Sequence, residues 1–325
     1  MSPAALLPLL TAVVLHPVRG WPAAVREITY LSPVDHTAQP ALFYAPPTRT
    51  PRPLLVVLHT WSRDHRHPNS APFAQWCVDK RWVMVHPNFR GPNHGPHALG
   101  SEAAIQDILA AVSYARTHAN VDARRIYLVG WSGGGHASLL VAARAPQLWA
   151  GVSAWVPVTD LAAWYFQTRG TPHTHYAEDI RAACGGVPFV GSDAAEECAR
   201  RSPLGLLRQA RGVPLDLNAG IHDGHHRDGK VPISHTLAAY NQLAHPRHRI
   251  TARQARELVE RSRVPGKLRY RGRDRHYGDN PVLVRRQSGA VRLTIFEGGH
   301  LIRRSAALHW LSKQRKRAPP PPDPA

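Results

Sequence analysis

A serine surrounded by glycines separates a strand-like segment from a helix-like segment near the middle of the chain. The apolar and β-branched residues 125–129 (RIYLV) predict a buried strand, and residues 135–143 predict a helix. Between them, Gly130, Ser132 and Gly134 form the pattern G-x-S-x-G. Such a tight strand-to-helix turn needs small neighbours, because the helix begins very close to the strand. The segment therefore predicts an α/β sheet with Ser132 at its edge as a candidate nucleophile.

Apolar segments alternate with helical patterns along most of the chain. Strands are predicted at 25–31, 41–45, 53–59, 82–86, 125–130, 151–156, 214–219, 282–285 and 291–296. Helices are predicted after the candidate N-cap Ser101 and at 233–243, 251–262 and 304–311. This alternation predicts a doubly wound, mostly parallel sheet with flanking helices, which begins with a hairpin. The segment of about 165–203 is predicted to be an irregular insertion near the active site.

The two ends of the chain differ in composition from the segment between them. Residues 21–313 are predicted to form one domain, and residues 314–325 a disordered basic and proline-rich tail. Residues 1–20 contain an apolar run, Ala4 to Leu15, that is too short to span a bilayer but typical of a signal peptide. An N-terminal strand or a disordered leader is the alternative. If this segment directs export, the protein is expected to be secreted or periplasmic. If it does not, the protein is expected to be cytoplasmic.

The chain is strongly basic, with 41 Lys and Arg against 22 Asp and Glu and a net charge of +19. Arginines dominate and are spread along the chain without a basic, aromatic-rich stripe, so nucleic-acid binding is not predicted. The three cysteines allow a Cys184–Cys198 bridge with Cys77 free, or three buried thiols. No segment is long and apolar enough for a transmembrane helix, and the oligomeric state is unknown.

A serine nucleophile needs a base and an acid, which follow it in the order Ser, Asp, His on this type of sheet. His300 ends the segment FEGGH directly after a predicted strand, which distinguishes it from the other histidines. The acid is Asp223 or Asp228, and the strand ending at Gly220 favours Asp223. Such an acid holds the imidazole tautomer and stabilises the imidazolium.

Backbone N–H groups must stabilise the oxyanion that forms on the carbonyl. Gly133, which follows the nucleophile, is one candidate donor. The segment HTWS (59–62) follows a central strand and supplies the second, with Trp61 favoured over Thr60.

The paired histidines raise the alternative of a metal site. His65, His67, His222, Asp223, His225 and His226 are its candidate ligands. No HExxH or CxxC spacing accompanies them, so no metal or cofactor is predicted.

Several stretches, taken in order, resemble the catalytic domain of the prolyl oligopeptidase family of α/β-hydrolases. They are LLVVLHTWS, VMVHPNFRGPN, QDILAAVSYA, VDARRIYLVGWSGGG, VPVTDLAAWY and FEGGH, and the resemblance extends over about 25–314. It implies the α/β-hydrolase fold and an acyl-enzyme mechanism, with Ser132, Asp223 and His300 as the triad. VDARRIYLVGWSGGG is also similar to esterases that act on acetyl or feruloyl groups of plant polysaccharides.

Two departures from the family pattern favour esters over peptides as substrates. The sequence offers no counterpart of the N-terminal β-propeller, and the oxyanion loop reads HTWS rather than HGG. The predicted function is therefore a serine hydrolase acting on a small-molecule, peptide or polysaccharide-ester substrate. A serine peptidase acting on short peptides is one alternative, and a non-catalytic protein of the same fold bound to anionic surfaces is another.

Overall fold

A nine-stranded sheet forms the centre of the computed structural model, which describes residues 18–224 and 230–316. The strands are β1 (Arg26–Leu31), β2 (Ala38–Tyr44), β3 (Arg52–Leu58), β4 (Val83–Pro87), β5 (Val121–Trp131), β6 (Gly151–Trp155), β7 (Leu215–Gly220), β8 (Val282–Ser288) and β9 (Val291–Phe296). Their spatial order is β1-β2-β4-β3-β5-β6-β7-β9-β8. Pairs that include β1, β2 or β8 are antiparallel, and the others are parallel. The predicted mostly parallel sheet with an initial hairpin is confirmed.

Helices connect the strands and cover the sheet. They are α1 (Ala71–Lys80), α2 (Glu102–His118), α3 (Gly133–Arg144), α4 (Leu161–Thr168), α5 (Thr174–Cys184), α6 (Asp193–Arg201), α7 (Pro203–Leu206), α8 (Ser234–Leu243), α9 (Ala252–Arg261) and α10 (Arg304–Ser312). The predicted cap of α2 is confirmed, since Ser101 Oγ accepts a hydrogen bond from the Ala104 N–H at 3.1 Å. A second polar cap begins α9, where Thr251 and Gln254 form a capping box.

Alternating side chains of the central strands pack on opposite faces of the sheet. Leu54, Val56 and Leu58 of β3 belong to the core beneath α2, α3 and α8. Leu55 and Val57 belong to a separate core beneath α1 and α10. Because both faces are covered, these strands are apolar at nearly every position.

The segment of about 165–203 is helical, so the prediction that it is irregular was wrong. Helices α4, α5 and α6 account for most of it. Asp160 and Ser192 cap α4 and α6 by accepting hydrogen bonds from the N–H groups of Ala163 and Ala195. A disulfide joins Cys184 to Cys198, and Cys77 is a buried free thiol. Closing a loop of this length contributes about 3 kcal/mol in the chain-entropy model, because it restricts the unfolded chain.

The predicted leader and tail fall mainly outside the described residues. Residues 1–17 and 317–325 are not described, so the signal peptide and the disordered tail stay predictions. Within 18–224 and 230–316, no helix has both the length and the hydrophobicity needed to cross a bilayer.

Candidate active site

The sequence-predicted serine, aspartate and histidine lie at one edge of the sheet. Ser132 directly follows β5, Asp223 lies just beyond the end of β7, and His300 lies just beyond the end of β9. These strands belong to the parallel series β5-β6-β7-β9, so their carboxyl ends share an edge. Ligands bind at the carboxyl ends of the strands in open α/β sheets of this kind.

Ser132 sits on a strained turn between β5 and α3. Its φ of 56° and ψ of −123° are unusual for a residue with a side chain. A Cβ at Gly130 would overlap the carbonyl group of Gly134, and one at Gly134 would lie 2.5 Å from the carbonyl oxygen of Leu58. The Ser132 N–H donates to the carbonyl of Trp155 at 2.9 Å, which fixes the turn to β6. The glycines are thus required by close packing, as the sequence predicts.

Asp223 and His300 are in direct contact. His300 Nδ1 lies 2.7 Å from Asp223 Oδ2, and the aspartate is 1% exposed. The other carboxylate oxygen, Oδ1, accepts hydrogen bonds from the N–H groups of Lys230 and Val231 at 3.0 and 3.1 Å. Nε2 of His300 is buried and has no hydrogen-bond partner within the described residues. Nδ1 is therefore held by Asp223, while Nε2 is left for a further hydrogen-bond partner. Asp228, the alternative acid, lies outside the described residues.

The loop that carries His300 packs tightly against the end of β7. The His222 N–H donates to the Gly298 carbonyl at 2.9 Å. A Cβ at Gly220 would overlap the carbonyl oxygens of Gly298 and Gly299, so only glycine fits there. This close approach brings the histidine loop over the loop that carries Asp223.

Gly133 and Trp61 meet at the start of α3. An ideal Cβ at Gly133 would lie 2.6 Å from the backbone nitrogen of Trp61. The N–H of Gly133 is at the first position of its helix, where no carbonyl of the helix can accept it. Neither this N–H nor that of Trp61 donates a hydrogen bond in the described part of the chain. Thr60 is the alternative to Trp61 as the second donor, and its carbonyl oxygen lies 2.9 Å from Nδ1 of His59.

The insertion holds the loop of residues 59–62 through the Trp61 side chain, a contact that sequence reasoning missed. Trp61 Nε1 donates to Asp179 Oδ2 at 2.8 Å, and the Trp61 ring packs edge-on against Trp164 and Tyr176. Burial raises the pKa of Asp179, and the hydrogen bond from Trp61 opposes that shift. The segment around Asp179 has no motif that marks it as part of the site.

Three buried histidines surround the candidate residues. Burial lowers the pKa of His59, His136 and His235 to about 4 in each case. These imidazoles are consequently neutral near pH 7 and add no positive charge to the site.

Two candidate ligands of the metal alternative, His65 and His222, make other side-chain contacts. His65 lies 2.8 Å from Glu27 Oε1 and 3.0 Å from Asn88 Oδ1. His222 Nε2 lies 2.5 Å from Glu297 Oε1, whereas His225 and His226 lie outside the described residues. Among residues 18–224 and 230–316, no three His, Cys, Asp or Glu side chains are grouped so that they could hold a metal ion.

Solved structures share this fold at low sequence identity. The acylaminoacyl peptidase of Pyrococcus horikoshii is 15% identical with a TM-score of 0.60, and the match covers 92% of this chain and 43% of that one. A puromycin hydrolase is 17% identical with a TM-score of 0.57, covering 88% and 37%. The acetyl xylan esterase from Paenibacillus sp. R4 is 15% identical with a TM-score of 0.59, covering 92% and 88%. The chain thus spans less than half the length of the first two proteins.

The prolyl oligopeptidase family model matches residues 74–255. No curated protein sequence matches the chain significantly. The matched segment includes the turn at Ser132, the whole insertion and Asp223, and it amounts to more than half of the chain. The resemblance inferred from the sequence motifs is confirmed: the chain belongs to the prolyl oligopeptidase family and has an α/β-hydrolase fold.

Proposed function

We propose that the protein hydrolyses acyl bonds, preferably esters, through an acyl-enzyme on Ser132, with His300 and Asp223 completing the triad. The observation that carries this proposal is the 2.7 Å contact between His300 Nδ1 and Asp223 Oδ2, at the sheet edge that also bears the strained serine turn. The buried Nε2 of His300, which has no partner among the described residues, is the nitrogen that would take the serine proton.

Acylation begins when Ser132 Oγ attacks the carbonyl carbon of the substrate while its proton moves to His300 Nε2. The carbonyl π electrons move to oxygen, and the N–H groups of Gly133 and Trp61 donate to the resulting oxyanion. Collapse of this intermediate breaks the bond to the leaving group, which takes the proton from Nε2. Water then attacks the acyl-enzyme by the same steps, with His300 first as base and then as acid, and releases the carboxylic acid.

Asp223 orients the imidazole and balances its charge. Its Oδ1 is occupied by the N–H groups of Lys230 and Val231, so Oδ2 is left to accept from the Nδ1–H of His300. This arrangement keeps Nε2 free of a proton in the resting enzyme, which is the state a general base requires. The carboxylate beside the ring stabilises the imidazolium that forms during acylation.

Esters are favoured over peptides as substrates. One of the matched structures is an acetyl xylan esterase, and the match covers 92% of this chain and 88% of that one. The HTWS loop also differs from the HGG sequence of the family peptidases. A serine peptidase acting on short peptides is the second candidate, supported by the family itself.

A panel of p-nitrophenyl esters and Xaa-Pro amides separates the two candidates, with the Ser132→Ala variant as the blank for each substrate. We expect turnover of short-chain p-nitrophenyl esters and release of acetate from acetylated xylo-oligosaccharides, with little cleavage of the amides. Amide turnover without ester turnover would contradict the esterase proposal and favour the peptidase.

We also propose that the protein is exported to an oxidising compartment, secreted or periplasmic. The Cys184–Cys198 disulfide supports this, because such bonds persist outside the reducing cytoplasm. The apolar run near the N-terminus agrees with it. N-terminal sequencing of the protein purified from its natural source should show cleavage near residue 20. An intact N-terminus on protein recovered from the cytoplasm would contradict the proposal.

A further inference from the structure

Asn93 is a buried asparagine whose amide nitrogen has no hydrogen-bond partner in the part of the chain that the structure describes. The side chain lies on the connection between β4 and α2 and is 2% exposed. Its Nδ2 makes no hydrogen bond within residues 18–224 and 230–316. Leaving a buried amide donor unpaired carries a free-energy cost, so such a group in a folded protein requires an explanation.

The orientation of this amide is fixed by its oxygen. Asn93 Oδ1 accepts a hydrogen bond from the Leu99 N–H at 3.0 Å. A backbone N–H can donate only to the oxygen of the amide, so the nitrogen must occupy the other branch. The backbone of Asn93 is tied directly to the oxyanion loop, since its N–H donates to the Trp61 carbonyl at 2.8 Å.

The free nitrogen lies beside the two backbone donors of the proposed oxyanion hole. An ideal Cβ at Gly133 would lie 2.9 Å from Asn93 Nδ2 and 2.6 Å from the Trp61 nitrogen. The space that a side chain at position 133 would fill is therefore bordered by both nitrogens. Glycine at this position is what allows the amide to approach the start of α3.

The loop that carries Asn93 is held rigidly on both sides. Arg90 Nε donates to the buried Asp107 at 2.6 Å. Arg201 Nη1 donates to the carbonyls of Ala98 and Leu99 at 3.1 and 3.3 Å. A donor held in this way needs little reorganisation when charge develops in front of it, which is the property that makes an oxyanion hole effective.

We propose that Asn93 Nδ2 is a third donor of the oxyanion hole, beside the N–H groups of Gly133 and Trp61. The inference rests on the proposed function, because it requires an oxyanion formed by attack of Ser132. The neutral amide adds its hydrogen bond to the negatively charged oxygen of the tetrahedral intermediate. Its unpaired state in the free enzyme is then relieved in the transition state.

Two substitutions separate this role from a structural one. Asn93→Asp keeps an oxygen that accepts from Leu99 and exchanges the donor for a negatively charged carboxylate oxygen, whereas Asn93→Ala removes both polar groups. A purely structural role predicts that the first variant stays active and the second does not. We expect both variants to lose kcat by about 10²- to 10³-fold, the effect of removing one oxyanion donor, with KM changed by less than about threefold.

A trifluoromethyl ketone, which forms a hemiketal oxyanion on the nucleophile, supplies an independent measure. Its affinity should fall in both variants by about the same factor as kcat/KM. Thermal unfolding shows which of the two variants is folded. If one of them does not fold, the kcat and the inhibitor affinity of the other one test the role of Asn93. Retention of kcat within about threefold of the wild type by either folded variant would overturn the inference.

The Ser132→Ala variant distinguishes an error in this inference from an error in the proposed function. If Ser132→Ala is inactive and the Asn93 variants are fully active, only the role of Asn93 is wrong. If Ser132→Ala keeps its activity, the proposed mechanism itself is wrong.

Discussion

Replacing Ser132 by alanine should lower kcat for the best ester substrate by about 10⁶-fold, the loss seen when a triad that acts as a unit is broken. The alanine leaves no oxygen to form the acyl-enzyme, so only catalysis by the oxyanion donors and by substrate binding would remain. The fold should be retained, because the Ser132 hydroxyl makes no hydrogen bond among the described residues.

Ser113→Ala is the matched control for this measurement. The Ser113 side chain lies on α2 and donates to the carbonyl of Leu109, away from the site. Its kcat should equal that of the wild type in the same p-nitrophenyl ester assay. A Ser132→Ala enzyme that kept more than about a thousandth of the wild-type kcat, in a preparation free of contaminating esterase, would exclude Ser132 as the nucleophile.

Replacing Asp223 by asparagine should lower kcat by about 10⁴-fold, through the wrong tautomer of His300 rather than through loss of the fold. The N–H groups of Lys230 and Val231 would still require the oxygen of the new amide at the Oδ1 position. The amide nitrogen would then face Nδ1 of His300 and force it to accept. The ring proton would move to Nε2, where it blocks removal of the serine proton.

Asp228→Asn is the comparison that decides which carboxylate is the acid. Both variants are assayed with the same ester, and thermal unfolding checks that each is folded. We expect the Asp228 variant to keep most of the wild-type kcat. A silent Asp223→Asn variant beside an inactive Asp228→Asn variant would transfer the role of the acid to Asp228.

The general architecture and the positions of the candidate triad follow from simple properties of the sequence. Parallel strands bring their carboxyl ends to one edge, so a serine, an aspartate and a histidine placed after successive strands are expected to meet. The contact between His300 and Asp223 agrees with that expectation. The close packing at Gly130 and Gly134 explains why the glycine pattern around Ser132 is informative.

The contacts that come from the insertion and the loops could not be predicted in the same way. Asp179 reaches Trp61 only because α5 folds back over the sheet edge, a tertiary arrangement that no local sequence pattern specifies. The sequence allowed the Cys184–Cys198 pair but also allowed free thiols, and the approach of α5 and α6 decides between them.

Asn93 illustrates the limit most clearly. Its position depends on a loop in which Phe89, Arg90 and Leu99 all adopt positive φ values. Non-glycine residues rarely adopt this conformation, and tertiary contacts impose it here. One of these contacts is the ion pair between Arg90 and Asp107, which no sequence pattern indicates. Periodicity and motif spacing describe regular elements well, but they carry no information on such loops.

Covalent labelling with a fluorophosphonate tests the central claim most directly. Such probes react with an activated serine, and trypsin should release the labelled site in the peptide of residues 126–144. That peptide also contains Ser138, a buried residue whose hydroxyl donates to the Gly134 carbonyl, so fragment ions must locate the adduct. We predict a stoichiometric adduct on Ser132 that is absent from the Ser132→Ala variant. An adduct on another residue, or labelling that persists in that variant, would contradict the mechanism.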